Sequence, residues 1–160
     1  MSDFSTAWTL SRQRLVDEVK DLSDEQLQWR PHASALSIGQ MAIHVAGVEM
    51  LFSSQLLGES LSAEEQRVKN AATEGVVNAT PFPFSDDEIT RETVGNVLLR
   101  SKQILEPIIT APSEEILVKQ IKSALGPIVS GEAAFARLCF HPAYHQGQAY
   151  LMKTDPNFPA

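Results

Sequence analysis

Apolar side chains recur along much of this chain at intervals of three, four and seven, the period of helices that bury one face. Phe4, Trp8, Leu15, Val19 and Leu22 form a first such stripe, separated by Arg12, Arg14, Asp17, Glu18 and Lys20. Ser23-Asp24-Glu25-Gln26 then reads as a capping box opening a short helix to about Trp29, where Pro31 stops it through its steric demand on Arg30. A second box, Ser37-Ile38-Gly39-Gln40, begins a long helix with Ile38, Met41, Val45, Val48, Phe52 and Leu56 on its core stripe and Gly58 as its left-handed terminator. Between Glu59 and Phe84 the period weakens. Ala63 to Lys69 suits one or two helical turns, and Asn78-Ala-Thr-Pro-Phe-Pro-Phe84 is a proline-punctuated loop, so this stretch can cross a bundle.

Ser85-Asp86-Asp87-Glu88 has the form of a third capping box and predicts a third long helix to about Thr110, with Ile89, Val94, Val97, Leu98, Ser101, Leu105 and Ile108 inward. Ala111 to Ile128 is open: Ile116-Leu-Val118 suits a short strand or part of a helix, and Gly126-Pro127 is a breaker. The last long helix, Ser130 to Lys153, aligns Ala134, Leu138, His141, His145, Gln148 and Met152 and carries Pro142, expected to bend it locally. Four long helices with a long middle crossover predict an all-α four-helix bundle, one domain over 1–160.

Composition narrows the function classes. At 160 residues, 43% hydrophobic and 21% charged, the chain is a folded globular one. Its formal charge of −7 opposes phosphate backbones and anionic lipid, so neither nucleic acid nor membrane is an expected partner. One cysteine, Cys139, excludes an intrachain disulfide framework. The start Met1-Ser-Asp-Phe-Ser-Thr6 lacks a basic, apolar leader, and no stretch reaches the roughly 18 apolar residues of a membrane span, so a soluble cytoplasmic chain is expected.

Chemistry gathers at His141-Pro-Ala-Tyr-His145. Residues four apart on a helix are about 40° apart around the axis and about 6 Å apart along it, so both imidazoles reach one ion. The intervening residues contain no glutamate, which removes the zinc-protease motif. His44, on a helix facing the same core, is the best third ligand, and three imidazoles suit Zn, Ni, Fe or Mn with positions left for water or substrate. The same spacing also suits a solvated helix face or hydrogen-bonded core histidines. No base is evident. Glu49 lies about 140° round the helix from His44, while Tyr144 and Gln148 near the pair are substrate-pocket candidates. Cys139, about 200° round from His141, points away and packs. His32 reads as an exposed loop residue, Trp29 as a packing anchor and Trp8 as a core or dimer-interface residue.

These residues carry a family resemblance. Trp29-Arg-Pro31, Ser37-Ile-Gly-Gln-Met-Ala-Ile-His44 and His141-x-x-x-His145-x-Gly-Gln148 together resemble the DinB-like superfamily over nearly the whole chain. The resemblance implies an up-up-down-down bundle with its long crossover between the second and third long helices, commonly a homodimer. It also implies a divalent metal on the histidines matching His44, His141 and His145. Members with assigned activity are metal-dependent thiol S-transferases and isomerases using low-molecular-weight thiols such as bacillithiol or mycothiol. The implied activity is therefore a metal-dependent transferase or hydrolase acting on a small thiol-linked or electrophilic compound. Many relatives read His-Arg-Gly-Gln where this chain has His145-Gln146-Gly147-Gln148, which removes a guanidinium able to bind an anionic substrate. That departure and the missing base motivate an alternative, a non-catalytic metal- or small-molecule-binding stress protein. A dimeric scaffold with packed histidines is a third reading.

Overall fold

The computed structural model describes residues 2–160; Met1, the first residue of the terminus read above, lies outside them. Four long helices dominate: α1 (Asp3–Val19), α3 (Ile38–Leu57), α5 (Arg91–Thr110) and α7 (Gly131–Met152), with shorter helices α2 (Asp24–Gln28), α4 (Ala63–Asn70) and α6 (Glu114–Val118) in the connections. The all-α bundle expected from the periodicity is the observed architecture. Two short antiparallel strands, β1 (Gln120–Lys122) and β2 (Ile128–Ser130), form a hairpin within the last connection.

Most element starts follow from capping chemistry. Ser23, Ser37 and Ser62 each accept the N3 backbone N–H while Gln26, Gln40 and Glu65 return the bond, and Gly58 closes α3 at φ 70°. The start of α5 differs from expectation. The Ser85–Glu88 box forms, but it encloses only a 3-10 turn, Asp86–Glu88; Ile89 leaves helical geometry and Thr90 caps a new helix at Arg91. The reason lies in packing: Ile89 is fully buried and its side chain fills the space beside Gly39, where a Cβ would lie 2.3 Å from it.

Every residue of α3 from Ile38 to Met50 is buried, so α3 is the central helix and the others surround it. The contacts set the helix directions. Ser2 donates to Thr110 at the far end of α5 while Arg91 donates to Leu22, making α1 and α5 antiparallel. Cys139 donates to the Phe4 carbonyl and Gln146 to Glu18, making α1 and α7 parallel. Gly39 meets Ile89 and Glu49 meets Ser101, so α3 and α5 run parallel, whereas Gly131 lies by Leu56 and His44 by His141, so α3 and α7 are antiparallel. The order is thus up-down-down-up, a correction to the up-up-down-down order implied by resemblance. The physical reason is the crossover itself: a connection that traverses the bundle between the second and third long helices leaves those two parallel.

That crossover, residues 59–90, packs closely. A Cβ on Gly47 would lie 2.6 Å from the Val68 carbonyl oxygen and 2.8 Å from the Ala72 nitrogen, so glycine lets the end of α4 rest on the backbone of α3. α7 runs through Pro142 as one helix of 22 residues, its ring buried. No helix among the described residues is long and apolar enough to cross a membrane.

Candidate metal centre

His44 projects from the middle of α3 and His141 and His145 from consecutive turns of α7, as the two-helix arrangement requires. The Nε2 atoms of His44 and His141 are 3.1 Å apart, as are those of His145 and His141, and one ligand atom from each of the three lies within 4.8 Å of the others. Imidazole nitrogens about 2.0–2.1 Å from one ion at tetrahedral or octahedral angles stand roughly 2.8–3.4 Å apart. The two 3.1 Å separations fall in that range.

The protonation pattern fits as well. His44 Nδ1 lies 2.8 Å from the Ala71 carbonyl oxygen, which only accepts, so Nδ1 carries the proton and Nε2 presents its lone pair to the cluster. His141 Nε2 faces two imidazole nitrogens but has either one proton or one lone pair, so it satisfies one neighbour at most. The Nδ1 atoms of His141 and His145 are buried without a partner. A cation facing three lone pairs meets all the Nε2 atoms at once, and a cluster of this kind can hold a metal ion.

Burial keeps the rings in the neutral, ligating form. It lowers the pKa of His44 against a smaller opposing effect of the Ala71 bond. His141 is pushed down to about 2 by burial and then by the nearby His145 and His44. His145 is pushed down to about 4 by burial and then by His44, with Gln148 opposing.

The histidines lie on the wall of a cavity of about 790 Å³. Met41, Val48 and Phe52 of α3 line its inner side. Ala72, Val76 and Val77 of the crossover and the hairpin turn at Ser123–Pro127 complete it. Both pocket candidates, Tyr144 and Gln148, line it, and the Tyr144 ring stands edge-on to His145 with centroids 5.0 Å apart. His32, read from sequence as outside the site, is exposed but also lines the cavity. Arg137 and Phe140 of α7 and Ser123 of the hairpin were missed; single residues outside any motif carry no signal until the hairpin is folded against α7.

Other residues fall as their helical angles predict. Glu49 is fully buried and taken up by Trp8, Arg12 and Ser101, away from the cavity lining. Cys139 faces α1, with burial raising its thiol pKa. Trp8 is core, and Trp29 packs edge-on against Phe158. Gln146, the residue after His145, donates to Glu18 of α1 and does not line the cavity.

A four-helix bundle with three inward histidines on antiparallel helices has the form of a bundle whose core could hold a metal ion. The chain belongs to the mycothiol-S-transferase (MST) family, within the DinB-like superfamily: the family model matches residues 4–154. Among solved structures, it is similar to a conserved protein from Enterococcus faecalis, with TM-score 0.66 and 15% identity, covering 92% of this chain and 91% of that one. It is also similar to a DinB-like protein from Bacillus cereus ATCC 10987, with TM-score 0.65 and 15% identity, covering 98% and 94%. At that identity the two structures bear on the fold alone. No curated protein matches the sequence.

Proposed function

We propose that the protein is a metal-dependent thiol S-transferase that joins a low-molecular-weight thiol to a small electrophile, with His44, His141 and His145 as the metal ligands. The observation that carries this reading is the convergence of three neutral imidazoles, two of them buried and one half-buried, with one Nε2 lone pair fixed by the Ala71 carbonyl. A divalent ion held there would supply Lewis acidity, lowering the pKa of a thiol so that thiolate would be available near neutral pH.

The chain's own residues do the rest. Ala71 orients His44, Met41, Val48 and Phe52 exclude water from the inner wall, and Phe140 and Tyr144 offer exposed rings to an organic body at the rim. Gln148 offers an amide beside the histidines. Thiol transfer is favoured over hydrolysis because the matching family is that of the mycothiol-S-transferases. The homodimeric, cytoplasmic setting expected from sequence belongs to the same reading.

The test is elemental analysis of tag-free protein, wild type beside His44→Ala and His145→Ala, followed by conjugation of a chromogenic electrophile with a panel of thiols. Near-stoichiometric metal lost in both variants, together with thiol-dependent turnover, is the expected result. Metal-loaded protein that retains thiols but transfers none would support the non-catalytic binding alternative, and wild type that takes up no zinc, nickel, iron or manganese would overturn the site.

A further inference from the structure

We infer that a groove between α1 and α5 is a second binding site, which takes a short alkyl carboxylate with its head at Arg12 and its chain laid over Gly95. The groove shares no lining residue with the histidine cavity, so the inference is independent of the function proposed for that cavity.

The groove has a volume of about 330 Å³. Its apolar walls are Val16 and Val19 of α1, Leu27 of α2 and Val94, Leu98 and Leu99 of α5, with Leu99 left 56% exposed. Its charged residues are Arg12, Lys20, Arg91 and Lys102; no Asp or Glu lines it, although the chain carries 20 of them. Lys20 and Lys102 meet Asp17 and Glu106 only in exposed pairs within one helical turn, which hold weakly. The Arg91 guanidinium donates to the Leu22 and Asp21 carbonyls, which carry no net charge. An apolar trough edged by cations complements an amphipathic anion.

Arg12 fixes the head. At 6% exposure it is the one buried lysine or arginine among the described residues. Its Nε donates to Glu49 at 3.0 Å, and its Nη2 donates to the Leu98 carbonyl and to Ser101. Nη1 has no partner among the described residues, yet it is not one of the atoms sealed from solvent. The groove that Arg12 lines is therefore the route by which an acceptor reaches Nη1, and a carboxylate oxygen makes the stronger, charge-assisted bond there. Because the Glu49 carboxylate already faces this guanidinium, a head of one negative charge suits it better than a doubly charged phosphate.

Gly95 makes room for the chain. It lies inside α5, where glycine is a poor helix former, and it lines the groove one turn from Leu98. Its φ is not positive, and a Cβ there would meet nothing within 4 Å, so neither the backbone nor a close neighbour calls for glycine. What the missing side chain leaves is open space in the groove. The groove runs from Arg12 to Lys20, eight residues or about 12 Å along α1, which accommodates an extended chain of about eight carbons.

The experiment titrates the full chain, as purified, with octanoate, octanamide and butanoate, and reads affinity and location together from proton–nitrogen NMR shifts. Octanoate is expected to bind about 10-fold more tightly than octanamide, the difference between a charge-assisted and a neutral hydrogen bond. It should bind more than about 10-fold more tightly than butanoate, which buries fewer methylenes. The largest shifts should fall at the Val16, Val94 and Gly95 amides and at the Arg12 Nε–H. Gly95→Leu fills the groove with a better helix former, so it should keep its fold and lose at least about 10-fold in octanoate affinity. Equal binding of acid and amide, an unmoved Arg12 resonance, or affinity that survives Gly95→Leu overturns the site. So does the absence of saturable binding, or a set of shifts gathered at Val76 and Val77, which line the histidine cavity.

Discussion

Two polar clusters sit on the buried face of α3, five residues apart, and they are built to opposite rules. At Glu49 every charge has a partner. Its carboxylate accepts from Trp8 Nε1 at 2.9 Å, Arg12 Nε at 3.0 Å and Ser101 Oγ at 2.5 Å, and the Arg12 guanidinium continues to the Leu98 carbonyl. At His44 the polar atoms face one another, two Nδ1 atoms have no partner, and a large cavity opens beside them. The first cluster closes on itself and ties α1, α3 and α5 together. The second leaves polar atoms unpaired, and under the proposed function an ion would complete it.

Breaking the closed cluster should have the largest effect on folding. Glu49→Ala strands the Arg12 charge in the core and should cost about 3–5 kcal/mol in urea denaturation, while the folded fraction keeps its metal stoichiometry. If the metal is lost in proportion at native-like stability, the two clusters are not independent.

Breaking the open cluster should do the reverse. His44→Ala should weaken zinc binding in a chelator competition by more than the 10- to 100-fold typical of losing a partner behind a ligand. The unfolding midpoint of its metal-free form should stay close to that of metal-free wild type, since few satisfied bonds are lost.

Gly47→Ala sharpens the contrast by acting between the two. The added methyl pushes α4 off α3, and a cost of about 1–3 kcal/mol is expected. With the Ala71 carbonyl displaced, zinc affinity should fall by about 10- to 100-fold although no ligand has changed. Unaltered affinity would show that the carbonyl does not orient His44.

The smallest effect concerns the far end of the crossover. Hydrogen bonding to Arg67, then to Ser85, holds the Glu88 pKa down at about 2, below its ordinary 4.5. A depressed carboxyl stabilises the fold above about pH 4.5 and loses that contribution as pH falls towards 2. Glu88→Gln should therefore lower stability slightly at pH 7 and flatten the acid limb of the stability profile, with little change in metal binding.

Where information was local, the sequence was sufficient. Ser37, Gln40 and Gly58 bound α3 as expected, because caps involve atoms within a turn. The histidine pair was legible for the same reason, four residues being one helical turn. At Ser85 the same chemistry was present, but a tertiary contact won: Ile89 left the helix to pack beside Gly39. The β1–β2 hairpin was hidden because three residues per strand give too short an alternation, with only Ile121 and Val129 inward. Arg137 and Ser123 were illegible as site residues, since what matters about them is the company of a cavity wall assembled from four separate segments.

The partner of His44 is a main-chain oxygen at the end of α4, and a peptide carbonyl has no letter in the genetic alphabet. Exchanging the Ala71 side chain for another of similar size leaves the acceptor where it is. Deleting one residue within α4 would turn that carbonyl about 100° away from the ring. The orientation of this histidine is thus inherited through the spacing of the chain, so a length change in the crossover can silence the centre while every histidine stays in place.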